Sequence, residues 1–169
     1  MDSKHHMTRR SFVGKSGFVL SMLPFTGAIA CSQPAKKEAM IKITHVNSNF
    51  EREPLVRPFG FKGGYMSEIW QSVSLLQSDA HLGLGLCTQN VLWSDADVFA
   101  SSAEAAGNAL MYALADRAMQ MVKGMQFSDP VHLQEQILEE LYAYGVRITG
   151  NGHLRKTFVL NALVGLDNA

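Results

Sequence analysis

The 169-residue chain is 47% hydrophobic and 18% charged, with 15 basic and 15 acidic residues; that length suits one domain plus a leader or tail. The zero sum is uneven: residues 1–30 hold four basic residues and one acid, leaving 11 basic and 14 acidic residues for the remainder, a net −3. A mildly acidic body without a basic cluster argues against nucleic-acid binding, and no stretch reaches the ~20 uninterrupted apolar residues of a membrane-spanning helix.

In chain order, Thr8-Arg9-Arg10-Ser11-Phe12-Val13 matches the twin-arginine export pattern. The apolar run from Phe18 to Ala30 is too short to span, and positive charge flanks its N-terminal side, the anatomy of a signal peptide. Ala28-Ile29-Ala30 satisfies the small-x-small rule of ordinary signal peptidase, and it also resembles a lipobox ending in an acylated Cys31, with Ala28 standing where leucine is usual. Both processing routes stay open. Residues 1–31 are therefore expected to be a twin-arginine signal with Cys31 as the lipidation candidate, and residues 32–40 a polar tether. The expected location is the periplasm, free or membrane-anchored as a lipoprotein. An acylated Cys31 leaves Cys87 without a disulfide partner, so Cys87 reads as a small core residue rather than a nucleophile.

From residue 41 to 169 the pattern predicts an α+β domain, a three-stranded antiparallel meander followed by a small helical bundle. Ile41 to Val46 alternates apolar and polar residues as a half-buried strand. Asn49 to Gly64, rich in charge, Pro and Gly, predicts a long loop. A second strand is expected over Met66 to Gln77, with Ile69, Val73 and Leu75 sharing a face, then a turn at Ser78–His81 and a third strand, Leu82 to Leu86. Ser101-Ser102-Ala103-Glu104 reads as a capping box opening a helix that stops near Gly124, with a methionine-rich stripe as core filler. Asp129 and Pro130 open the next helix as N-cap and first residue, with Leu133, Ile137, Leu138, Leu141 and Tyr144 inward and Gly145 closing it. A last helix from His153 to the end is expected to bury Phe158, Leu160, Ala162, Leu163 and Leu166. It lacks a glycine cap or polar tail, so the chain is expected to end in mid-helix. Its apolar residues run nearly all round, so Asp167 is expected to be buried with a designated partner.

Chemistry is sparse. Leu82-Gly83-Leu84-Gly85-Leu86-Cys87 lacks the third glycine of a dinucleotide fingerprint. His45, His81, His132 and His153 have none of the tight zinc spacings. Asp95 and Asp97 read as loop and helix-start polar residues, and Glu139-Glu140 as a solvated face.

The order strand, long loop, two strands, helical bundle, closing on Ala162-Leu163-Val164-Gly165-Leu166-Asp167-Asn168-Ala169, resembles the N-terminal capping domain of the mandelate racemase and muconate lactonizing enzyme family of the enolase superfamily. The resemblance implies a catalytic barrel that this chain lacks, carrying the general base and Mg²⁺ ligands. It implies that the chain itself supplies no catalytic residue and binds no cofactor or metal. Racemases, epimerases and sugar-acid dehydratases of this kind act on small carboxylates or sugar acids, and members are often homo-oligomers. The cap contributes two loops that close over the barrel and exclude water; by position these are Asn49–Gly64 and Cys87–Asp95. Arg57, Phe59, Phe61, Lys62 and Trp93 are the candidate substrate contacts, Arg57 or Lys62 pairing with an anionic group. The competing reading makes those charges solvated and lets Phe59 and Phe61 staple the loop to the sheet. The alternative function, from another class, is a non-catalytic envelope lipoprotein with a small binding domain.

Overall fold

A computed structural model describes residues 40–61 and 63–169; Arg9, Arg10, Cys31, the tether up to residue 39 and Lys62 lie outside the described residues. The fold is α+β. Its main sheet has the order β2-β3-β4, and both pairings are antiparallel: β2 (His45–Phe61) with β3 (Gly64–Gln77), and β3 with β4 (Leu82–Gln89). Helices follow: α1 (Val91–Ser94), α2 (Ala96–Ser101), α3 (Glu104–Val122), α4 (Pro130–Thr149) and α5 (Lys156–Asp167). The expected meander-then-helices architecture is present.

The first expected strand divides in two. Ile41–Lys42 (β1) leaves the main sheet and pairs with Gln126–Phe127 (β5), a strand with no local sequence signal. Ile43, which is buried, anchors the crossover by bonding Met125 and Gly124 through its backbone.

The larger correction concerns Asn49–Gly64, expected as a loop. It is the distal half of a long hairpin. Pairing runs without a break from His45↔Gln77 to Pro54↔Glu68, shifts between Pro54 and Phe59, and resumes to Phe61↔Gly64. Leu55 to Pro58 occupy the irregular stretch, and Pro54 is the last paired residue before it, so both prolines' missing N–H groups fall where the ladder breaks. Phe61 pairs with Gly64 at the end of the hairpin, where Gly63 (φ 81°) supplies left-handed backbone.

Ile69, Val73 and Leu75 share a face as expected, and it is not the face that the helices cover. They lie on the half-open side, with exposed Leu82, Leu84 and Leu86 beside them. Met66, Trp70, Ser72, Ser74 and Leu76 face the helices. Small residues are required there because α5 lies almost on the backbone of β4. A Cβ added to Gly85 would fall on the Gly165 carbonyl oxygen, and one added to Gly165 would meet Ser74 Oγ at 2.8 Å.

Among the helices, Ser101 does not cap α3. Its hydroxyl and that of Ser102 donate to the Val98 carbonyl at the end of α2, while Glu104 turns to the sheet. The methionine stripe is core as expected, with Met111 and Met119 fully buried. Asp129 and Pro130 open α4 as expected, but α4 runs past Gly145 to a left-handed Gly150 (φ 64°). Gly145 is an interior packing residue, where a Cβ would meet Leu154 at 2.9 Å. Helix α5 starts at Lys156 rather than His153, after an Asn151-bonded turn, and its last helical residue is Asp167, so the helix stops short of Ala169. Leu160, expected inward, is exposed, and so is Val164. Asp167 shares their open side, exposed, and accepts from Gln134 Nε2 at 2.5 Å. The expectation of a buried Asp167 fails because α5 buries one face only; its hydrogen-bond partner is Gln134 of α4.

Candidate functional site

The segment read as a second loop, Cys87–Asp95, is the end of β4 plus the one-turn helix α1. Gln89, Asn90, Val91, Leu92, Ser94 and Asp95 are all buried. Side chains fix this turn from every side. Asn90 Oδ1 accepts from Leu92 N (2.8 Å), and Asn90 Nδ2 donates to the Glu68 carbonyl (2.9 Å) and Glu104 (3.0 Å). Asn108 accepts from Val91 N (2.7 Å). Asn161 and Thr157 of α5 donate to Ser94 Oγ and the Ser94 carbonyl. Trp93 is the partly open side chain on this held turn.

Facing it is the hairpin's distal end. Gly64 passes so close over α1 and α2 that a Cβ would lie 2.8 Å from Phe99 and 3.1 Å from Leu92. Between hairpin and turn lies an open concavity of about 580 Å³, walled by Leu55, Val56, Phe59, Met66, Ile69 and Trp93, with Arg57 and Thr88 as its polar members. Arg57, Phe59 and Trp93, separated by up to 36 positions, thus meet at one place. Phe61, two-fifths exposed, is not part of the lining. Leu55, Met66 and Ile69 were missed: β-period counting places Met66 and Ile69 on opposite sheet faces, and only the hairpin's approach to α1 brings them to one hollow.

Below the hollow, the hairpin is stiffened by an aromatic and ionic stack. Phe50 stacks on Trp70 with centroids 4.4 Å apart, and Tyr112 of α3 lies 4.6 Å from Phe50. Arg52 Nε and Nη2 donate to Glu68 Oε2 (3.1 and 2.7 Å), and Trp70 Nε1 donates to Glu68 Oε1 (2.9 Å). The Arg52 hydrogen bond holds the Glu68 carboxyl below its ordinary range, against the opposing effect of partial burial. Because the folded value is depressed, whatever this pair adds to stability is present above the unfolded carboxyl's range and lost as pH falls through the folded one.

Asp95 caps α2, as its sequence context suggested, and Cys87 is a buried free thiol whose pKa is raised by desolvation. An inert core role for Cys87 fits both facts. Among the described residues no group of three or more His, Cys, Asp or Glu converges to hold a metal ion. The Mg²⁺ implied by the resemblance therefore has no ligand set there, and no chemical step is assigned to it.

No protein-family model and no curated protein matches the chain. Among solved structures it is similar to an enolase from Bradyrhizobium complexed with magnesium and mandelic acid, at 16% identity and a TM-score of 0.45, covering 76% of this chain and 30% of that one. An L-talarate dehydratase from Polaromonas sp. JS666, complexed with Mg and L-glucarate, gives 17%, 0.45 and the same two coverages. A mandelate racemase/muconate lactonizing protein from Herpetosiphon aurantiacus gives 17% and 0.41, with 75% and 29% covered. These neighbours are enolase-superfamily proteins, and this chain spans about 30% of their length.

Proposed function

We propose that residues 41–169 act as the substrate-capping domain of an enolase-superfamily racemase, epimerase or dehydratase, working on a carboxylate held by a barrel domain. One observation carries this reading: the distal hairpin and the α1 turn, far apart in sequence, converge on a single open hollow with an arginine at it. That is the layout needed to cover a site formed elsewhere and exclude water from it. The chain's own residues would bind and enclose; the base and Mg²⁺ chemistry would belong to the barrel.

The chain alone, with Mg²⁺ added, is expected to give no exchange of a substrate's α-proton in deuterated buffer. Joined to a superfamily barrel stripped of its own cap, it is expected to raise the barrel's exchange rate. A folded, Mg²⁺-binding fusion that exchanges no faster than the capless barrel overturns the reading.

We further propose export of the folded chain by the twin-arginine route, with Cys31 as a lipid anchor, on the strength of Arg9-Arg10 and the apolar run that follows. Replacing both arginines by lysine keeps the charge and is expected to abolish envelope localisation. Radioactive palmitate should label the wild type and not Cys31→Ala. Unchanged export, or label surviving in Cys31→Ala, refutes the respective assignment.

A further inference from the structure

We propose that Asn151, in the turn between α4 and α5, is a site of spontaneous covalent modification. The Gly152 nitrogen attacks the Asn151 side chain, and the asparagine converts through a cyclic imide to aspartate and isoaspartate. The proposal is independent of the capping reading.

Asn151 is the only asparagine of the chain that precedes glycine, and the structure sets it apart a second time. Attack needs an uncommitted nitrogen on the following residue. The amides after Asn47 and Asn49 bond those residues' own side-chain oxygens, at 2.9 and 2.8 Å. Val91 N, after Asn90, donates to Asn108, and Ala169 N, after Asn168, donates to the Leu166 carbonyl. Asn108 and Asn161 lie inside α3 and α5, where the following amides belong to the helix. Gly152 N, by contrast, donates to no group among the described residues. Gly152 is also exposed, and a Cβ there would meet nothing within 4 Å, so its backbone is open to water and to rotation.

The electrophile is prepared as well. Asn151 Oδ1 accepts from His153 N at 2.9 Å, and negative charge develops on that same oxygen when nitrogen attacks Cγ. A donor already aimed at a developing oxyanion lowers the barrier, and the ring closure is intramolecular. The bond from Gly152 N to Cγ forms, the bond from Cγ to the side-chain NH₂ breaks, and the proton lost by Gly152 N leaves with that group as ammonia. Water then opens the imide at either carbonyl, and no oxidant or reductant is needed. One product is aspartate; the other is isoaspartate, whose main chain is lengthened by a methylene. The lengthening falls among the bonds that hold the entry to α5. Leu154 N donates to the Asn151 carbonyl at 3.2 Å, and Arg155 N donates to Asp95 Oδ2 at 2.9 Å. In isoaspartate the Asn151 carbonyl becomes a free carboxylate outside the main chain, so the first of these bonds loses its place.

The full chain is aged in mildly alkaline buffer and digested with trypsin, which cuts after Arg147 and Arg155. The mass of the peptide between those cuts reports replacement of NH₂ by OH, and an isoaspartyl methyltransferase labels the isoaspartate product. Asn151 is expected to react about tenfold faster than any other asparagine, and about tenfold more slowly in Gly152→Ala, whose methyl hinders the approach. The rate in native buffer should stay within about threefold of the rate in urea, because the His153 donor offsets the lost chain freedom. The isoaspartate fraction should melt about 5 °C below fresh protein, the scale of one lost hydrogen bond. Gly152→Ala reacting as fast as wild type, or another asparagine leading, overturns the site. A native rate more than about tenfold below that in urea overturns it too, since the turn then protects Asn151. An isoaspartate fraction that melts with the fresh protein overturns the consequence for α5 and leaves the site standing.

Discussion

Gly85→Ala is expected to lower stability by about 3 kcal/mol, the upper part of the range for overpacking a tight contact, and the melting temperature by roughly 10 °C. The added methyl would land on the Gly165 carbonyl oxygen, 2.7 Å from Ala169 N and 2.9 Å from the Asn168 carbonyl carbon. All three are backbone atoms, so no side-chain rotation relieves the clash. Either β4 bends away or α5 lifts, and lifting α5 opens the packing of Phe158, Ala162, Leu163 and Leu166, which are buried in the common core. The entropy gained by restricting the unfolded chain, about 0.4–1 kcal/mol, offsets only part of this. Gly152→Ala is the control, since a Cβ there meets nothing within 4 Å and Gly152 is not among the positive-φ glycines. It should be neutral or slightly stabilising. Urea unfolding reads both; a Gly85→Ala midpoint equal to wild type would show that α5 does not lie on β4 as closely as described.

That contact also explains where the sequence misled. Alternation over Met66–Gln77 and Leu82–Leu86 reveals strands but not which face is inside. Counting apolar residues selects Ile69, Val73 and Leu75, yet the helices cover the side carrying Ser72, Ser74, Gly85 and Cys87. Shape overrides hydrophobicity there, because a helix seated on backbone needs small residues beneath it. The hairpin was hidden for a different reason. Pro54, Pro58 and the three glycines Gly60, Gly63 and Gly64 are loop signals taken singly, and only the pairing partner, Gly64–Gln77, makes a strand of most of the segment. The β1–β5 ribbon joins residues about 85 positions apart and leaves no periodicity to read. Capping was legible where one residue and its neighbours suffice, as at Asp129-Pro130. It failed at Ser101, whose hydroxyl was claimed by the preceding helix. Of the residues that line the hollow, Arg57, Phe59 and Trp93 were named as candidates from element order and residue type. Leu55, Met66 and Ile69 depend on tertiary approach alone.

Asp95 is the second position where one substitution should be costly. Its carboxylate is 1% exposed and accepts three backbone N–H groups: Asp97 (2.9 Å) and Val98 (3.2 Å) on Oδ1, and Arg155 (2.9 Å) on Oδ2. The first two cap α2; the third ties that cap to the residue from which α5 departs, 60 positions later. Asp95→Ala strands all three donors. Loss of an N-cap costs about 0.5–2 kcal/mol and a buried unmatched donor about 1–3 kcal/mol, so a loss of about 3 kcal/mol is expected. Asn separates the two roles. Its carbonyl oxygen can keep the α2 cap, but its NH₂ then faces the Arg155 N–H, donor against donor, so its loss should fall between wild type and Ala. The same change should reach the hollow, because Trp93 lies two residues upstream and Ser94 is held by Thr157 and Asn161 of α5. The Trp93 indole signal is therefore expected to broaden in Asp95→Ala while that of Trp70, stacked on Phe50 and bonded to Glu68, stays sharp. An Asn variant as stable as wild type would show that the Arg155 bond contributes nothing. An Ala variant with an unchanged Trp93 signal would show that the α1 turn holds its shape without Asp95.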